Sequence, residues 1–128
     1  MLGRLPIVAA ICLIPFSVQA QDIAAGEKVF LKCKVCHQVG EGAKNGVGPV
    51  LNGIVGRKAG SIEGYNYTPA NKNSGLTWDE ATLNDYLKNP KAKIPGTKMI
   101  IAGPLNEADI ENVIAYLKQF GPDGRKRE

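Results

Sequence analysis

The string Cys33-Lys34-Val35-Cys36-His37 constrains this chain more than any other feature. Two thiols with two residues between them, and an imidazole directly after the second, form the C-x-x-C-H signature of covalent haem attachment. The chemistry explains the spacing. Thiols one helical turn apart can each add to one vinyl group of a single porphyrin, and the adjacent ring then points at the iron. Other uses of these residues compete with haem. A disulfide between Cys33 and Cys36 would close too short a loop to stabilise much. A thioredoxin-like redox pair needs a strand before the motif and a helix after it; here a helical pattern leads in and a glycine-rich loop follows. A structural zinc site needs four ligands, and the chain has no second Cys/His pair to supply them. Haem attachment fits best.

The rest of the chain agrees with that choice. With 128 residues it holds one small domain, too short for a two-lobed enzyme. Fifteen glycines and eight prolines put much of it in turns and loops, and 6% aromatics leave a thin core for a bound group to fill. Residues 1–20 read as a cleaved signal peptide: Arg4 gives a basic start, Leu5 to Phe16 is apolar but too short to span a bilayer, and Val18-Gln19-Ala20 sets cleavage before Gln21. A retained anchor is disfavoured by the short apolar stretch with its Pro6 and Pro15, and lipidation of Cys12 by the preceding Ile11. Removing twenty of 128 residues leaves 21–128, a single domain of 108 residues. Its fifteen basic and twelve acidic side chains give a net charge of +3.

What sits opposite His37 decides the chemistry. Apart from Met1, the one methionine is Met99, in the run Ile94-Pro95-Gly96-Thr97-Lys98-Met99. A lone methionine is usually gap-filling core, yet this one lies in a Pro/Gly-rich loop without helical periodicity. Histidine and methionine together make an electron-transfer ligation that raises the reduction potential and fills both iron positions. The helices read as 22–35 with Asp22 as N-cap, a short one from Thr68-Pro69 to near Gly75, one opened by a capping box at Thr77-Trp78-Asp79-Glu80 and ended before Pro90, and a last one capped by Asn106 with an Ile110, Val113, Ile114, Leu117 stripe. Residues 40–64, with eight glycines, form a long ordered loop. The tail Arg125-Lys126-Arg127-Glu128 reads as frayed and solvated.

Taken together, Cys33 to His37, Gly48-Pro49, Gly56-Arg57, Ala70-Asn71-Lys72-Asn73, Trp78, Tyr86, Asn89-Pro90, Ile94 to Met99, Ala102-Gly103 and Ala115-Tyr116-Leu117 resemble the class I cytochromes c, especially the small bacterial cytochrome c2 type and mitochondrial cytochrome c. The likeness runs from about Gly26 to Leu117. It implies an all-α monohaem fold, with N- and C-terminal helices crossing at Gly26, Phe30 and Tyr116 and long loops wrapped around one covalently bound haem c. It implies thioether bonds at Cys33 and Cys36, axial ligands His37 and Met99, and a Pro49 carbonyl that orients the His37 ring. Arg57, Tyr67 and Trp78 are implied as propionate partners, and Asn71, Tyr86 and Thr97 as a polar cluster beside the methionine. Each also has a plainer reading: Pro49 as a turn residue, Arg57 as a surface charge, Trp78 as core. Ile101 stands where much of the family has phenylalanine at the exposed haem edge.

The function implied is a soluble monohaem electron carrier of the bacterial periplasm, not an enzyme. It would take electrons from a cytochrome bc complex and pass them to a terminal oxidase, a photosynthetic reaction centre or another reductase. Partners would dock through Lys32, Lys34, Lys91, Lys93 and Lys98, while Lys88 reads as a solvated loop charge. The resemblance implies a monomer with transient contacts to membrane complexes and no nucleic-acid partner. Two alternatives are a haem peroxidase or gas sensor with an open iron site, and a haem c subunit of one particular enzyme. Because so little side-chain core is available, a Cys33→Ala, Cys36→Ala chain is expected to lack covalent haem and to be largely unfolded. Circular dichroism checks this, and a cooperative melt without haem would refute it.

Overall fold

The computed structural model describes residues 2–13 and 22–127. The expected cleavage signal Val18-Gln19-Ala20, the Ala20–Gln21 bond, the end of the apolar stretch at 14–16 and the final Glu128 lie outside the described residues. Residues 2–13 form no regular element, and Leu2, Leu5, Ile7, Val8, Ile11 and Leu13 are exposed. Among the described residues no helix is long and apolar enough to cross a membrane.

Five helices follow, and no strand accompanies them among the described residues. Helix α1 (Ile23–Phe30) starts where Asp22 accepts from the Ala25 N–H at 3.0 Å. It is shorter than the 22–35 pattern suggests. Leu31, Lys32 and Cys33 each donate three residues back, to Lys28, Val29 and Phe30, which tightens the helix into turns before the cysteines. Helix α2 (Pro69–Lys72) uses Thr68 as cap and Pro69 in its first turn, but ends at Lys72 rather than near Gly75. Asn73 closes it by donating to the Pro69 carbonyl at 2.9 Å.

Helix α3 (Glu80–Lys88) begins two residues later than the expected capping box, with Asp79 accepting from the Thr82 N–H at 2.8 Å. The physical reason lies outside the helix. Thr77 is extended, bridged to Lys58, and Trp78 donates to the Arg57 carbonyl at 2.8 Å, so neither backbone is free to enter a helix. A short helix α4 (Pro90–Lys93), absent from the sequence reading, repeats the logic of α2: Asn89 caps it and Pro90 fills its first position. Helix α5 (Glu107–Lys118) has the expected Asn106 cap, made reciprocal by Asp109.

The framework is the contact of α1 with α5, with α3 packed on α5 and α4. Gly26 faces α5 so closely that a methyl group there would run into the Asn112 carbonyl and come within 2.9 Å of the Tyr116 Cβ. Phe30 and Tyr116 meet at 5.4 Å between ring centres. The core of Phe30, Leu83, Leu87, Ile94, Ile110, Val113, Ile114 and Leu117 sits around this junction.

The tail corrects its expectation. Arg127 N–H donates to the Gln119 carbonyl at 2.6 Å, Gly121 N–H to Arg125 at 2.9 Å, and the Lys126 ammonium lies 5.9 Å from the centre of the Phe120 ring. Phe120, Gly121 and Gly124 are buried, so the residues after α5 fold back as a hook instead of fraying.

Replacing Gly26 by alanine is expected to cost about 1–3 kcal/mol, the usual range for forcing atoms into a closed contact. Alanine's better helix propensity, worth up to about 1 kcal/mol, offsets part of that cost. Denaturant midpoints of the folded holoprotein check the sign; an unchanged or raised midpoint would show that α1 and α5 can separate freely.

Candidate functional site

The turn after α1 presents three groups in sequence. The Cys33 and Cys36 thiols are half-buried and are not joined in a disulfide. Burial pushes the Cys33 thiol up, Cys36 adds to this, and Lys32 opposes it. Among the described residues no cluster of three or more His, Cys, Asp or Glu side chains is placed to hold a metal. His37 is buried, and its Nδ1 donates to the Pro49 carbonyl at 2.7 Å, with the proton placed there because a carbonyl can only accept. Nδ1 is thereby committed, and Nε2 is left with its lone pair. Burial lowers the imidazole below its ordinary value; the Pro49 bond opposes this and the Arg57 charge adds to it.

Gly48, unassigned in the sequence reading, is part of this arrangement. A side chain there would come within 2.7 Å of both His37 ring nitrogens. The ring therefore lies flat against backbone. The only sequence signal was its place before Pro49.

The Met99 side has its own polar centre. Tyr86 and Thr97 are buried and joined hydroxyl to hydroxyl at 2.8 Å, and the Met99 N–H reaches the same Thr97 Oγ1 at 3.3 Å. Thr97 thus ties the methionine backbone to α3. Asn71 does not bond directly to this pair: its Oδ1 accepts from Thr68 Oγ1 at 3.0 Å within its own turn. Trp78 is buried and packs on Tyr86 with ring centres 4.8 Å apart. Half-buried Leu51, Val55, Ala70, Leu76, Met99 and Ile101 pack around the core.

Arg57 is held from one end. One terminal nitrogen donates to the Val50 and Asn52 carbonyls at 2.9 and 3.0 Å, while Nε is buried without a partner. Burial lowers its ordinary value and Tyr67 opposes the shift. The Tyr67 hydroxyl accepts from the Ile62 N–H at 3.1 Å and keeps its own proton to donate.

The lysines divide into two sets. Lys88 is paired with Glu107 at 2.9 Å and Lys93 with Asp85 at 3.3 Å. Its short helix α4 packs against α3 and brings it to Asp85, eight residues back. Lys32, Lys34, Lys91 and Lys98 are exposed and take part in no ion pair among the described residues.

The chain belongs to the cytochrome c family, whose model matches residues 23–121. It is therefore a monohaem electron carrier with one covalently bound haem c. Cytochrome c2 of Rhodoplanes tepidamans is 60% identical over 107 residues, 84% of this chain and 100% of its own. Cytochrome c-554 of Methylosinus trichosporium is 63% identical over 111 residues, 87% and 84% of the two chains. Among solved structures, cytochrome c2 from Rhodospirillum centenum superposes with a TM-score of 0.73 at 41% identity, covering 79% of this chain and 99% of that one. Cytochrome cH from Methylobacterium extorquens gives 0.70 at 50% identity, covering 77% and 98%. The residues present fit haem c: a thiol pair, an imidazole pinned at Nδ1, a thioether, and a buried guanidinium Nε that lacks an acceptor.

The hydroxyl pair gives a graded test. Tyr86→Phe, which removes one bond from Thr97, is expected to cost about 0.5–1.5 kcal/mol, and Thr97→Val, which strips both, about 1–3 kcal/mol. Chemical denaturation of both variants checks the order; equal or reversed costs would mean that Thr97 does not tether the Met99 backbone.

Proposed function

We propose that this protein is exported to the bacterial periplasm, where it carries single electrons from a cytochrome bc complex to an oxidase, reaction centre or other reductase. The observation that carries this reading is the pairing of an imidazole whose Nδ1 is fixed on Pro49 with a methionine whose backbone is fixed on Thr97. Both arrangements suit permanent ligation, which favours a carrier over a peroxidase or sensor with an open position. Residues 1–20 act as the signal peptide. The match of 107 residues to the whole Rhodoplanes tepidamans cytochrome c2 supports this, since removing those twenty leaves 108.

Haem c supplies the one-electron ferrous–ferric couple. Every other task falls to the chain. Cys33 and Cys36 hold the group by thioether bonds. His37 offers Nε2 to the iron, and its Nδ1 bond to Pro49 orients the ring and raises its basicity. Met99 would hold the iron through its sulfur, a soft donor that would favour the ferrous state. Arg57, through its unpartnered Nε, Tyr67 through its free proton, and Trp78 serve the propionates, which need donors when buried. Tyr86 and Thr97 hold the methionine segment, and Asn71 would join their polar cluster once the haem is in place. Ile101, half-buried beside Met99, helps to keep water out.

Docking then falls to the unpaired lysines Lys32, Lys34, Lys91 and Lys98, with Lys93 subdued by Asp85. Their one-sided charge steers the carrier toward acidic faces, so encounter rates depend on salt. Reduction by membranes containing a cytochrome bc complex is expected to slow as ionic strength rises from about 0.01 to 0.15 M, where the screening length falls from about 30 to 8 Å. Lys91→Glu or Lys98→Glu should flatten that dependence, and Lys126→Glu should not; equal effects of all three would show that net charge governs the encounter. Met99→Ala is expected to lower the midpoint potential and to let azide or carbon monoxide reach the iron. Unchanged potential and ligand reactivity would remove Met99 from its assigned role.

A further inference from the structure

We infer that the hook formed by residues 119–127 is a positioning element for His37, acting through Asn52 on the carbonyl that orients the imidazole. The inference rests on the assignment of His37 as an iron ligand. It starts from the position of the Pro49 carbonyl, 2.7 Å from His37 Nδ1. That distance depends on two backbone segments staying in register, 37–40 after the cysteine turn and 49–52 after the glycine loop.

Beside the Gly48 N–H bond to the Cys36 carbonyl at 2.8 Å, three bonds within these segments hold the register. Leu51 N–H donates to the Gln38 carbonyl at 3.0 Å. The Asn52 side chain does the rest: its Oδ1 accepts from Gly40 N–H at 2.8 Å and its Nδ2 donates to the Gly40 carbonyl at 2.9 Å. One buried amide thus grips both polar groups of one residue. Side chains that grip a backbone in this way work only when nothing competes for them, and a cover that excludes water meets that need.

The hook is that cover. Gly124 sits so close above the clamp that a methyl group on it would run into the Gly40 carbonyl and come within 2.8 Å of Asn52 Nδ2. Gly124 has φ +81, in the left-handed region that favours glycine. The hook is also bonded to the clamp's own segment, because Gly53 N–H donates to the Phe120 carbonyl at 3.1 Å. Its shape is internally fixed by the bonds Gly121 to Arg125, Gly124 to Gly121 and Arg127 to Gln119. The ion pair of Arg125 with Glu41, by contrast, has both side chains more than two-thirds exposed and adds little.

Two holoprotein variants test this: a chain ending at Gly121, and Gly124→Ala in the full chain. In the ferrous state, hydrogen exchange of the His37 Nδ1 proton is compared with that of the Ile110, Val113 and Ile114 amides, which report opening of the core. Both variants are expected to speed Nδ1 exchange at least tenfold and to leave the core amides within threefold. The weakened bond donates less to the ferric state, so the ferric-to-ferrous ratio at a fixed potential should fall about threefold, an upward shift of about 28 mV at 59 mV per tenfold. Asn52→Ala should reproduce both effects, and Arg125→Ala neither. Unchanged Nδ1 exchange in the two hook variants overturns the inference, and so does equal acceleration of every proton, which would make the hook a matter of general stability. A His37 ring without the large upfield shifts of an iron-bound imidazole in the unaltered protein would instead overturn the ligand assignment.

Discussion

The hydrogen bond from His37 to the Pro49 carbonyl is the side-chain contact on which the junction of two parts of the chain turns. On one side is the end of α1, tightened into turns that set the two cysteines and the histidine. On the other is a loop rich in glycine, without strands or long helices to fix it. A buried imidazole must place its N–H somewhere, and the proline carbonyl answers that need while the flat backbone at Gly48 leaves room for the ring. Once that bond is made, the loop has an anchor, and Arg57 can reach the Val50 and Asn52 carbonyls on the same stretch. The site is therefore also the means by which a poorly patterned loop acquires one conformation.

The other half of the site is organised from helices. Tyr86 rises from α3, whose position is set by packing on α5, and its hydroxyl meets Thr97 in the segment that carries Met99. The two sides thus have different sources of rigidity: a backbone carbonyl for the histidine, a side-chain pair for the methionine. Trp78 links them, since it packs on Tyr86 while its backbone is paired with Arg57.

Much of this was readable from residue order, and the failures have physical causes. The caps at Asp22, Thr68 and Asn106 were legible because a short polar side chain before an amphipathic run has few other uses. The start of α3 is ambiguous in the sequence because Thr77 and Asp79 are both good caps, and only the distant Lys58 and Arg57 backbone decides between them. Helix α4 has no separate mark in the sequence, because Pro90 both ends one helix and opens the next. The turn at Cys33–His37 and its likeness to cytochromes c gave the site residues, but Asn52 carries no local mark of its role. Its partner, Gly40, is twelve residues away. The buried course of the tail was equally hidden, since Arg125, Lys126 and Arg127 look like a solvated end until Phe120 and the two glycines are placed.

The contact between α1 and α5 has a consequence for how the chain comes into being. Asp22 donates to Asn112, ninety residues away, and Gly26 is closed off by backbone from the same late helix. A helix of eight residues is too short to persist alone in water, so α1 has nothing to lean on until α5 exists. Such a fold has its most distant pieces as its foundation, and closing so long a loop is the slow entropic step. The polypeptide therefore stays open until nearly its last residue has been made. The cysteine pair spends that interval on an accessible, unfolded chain.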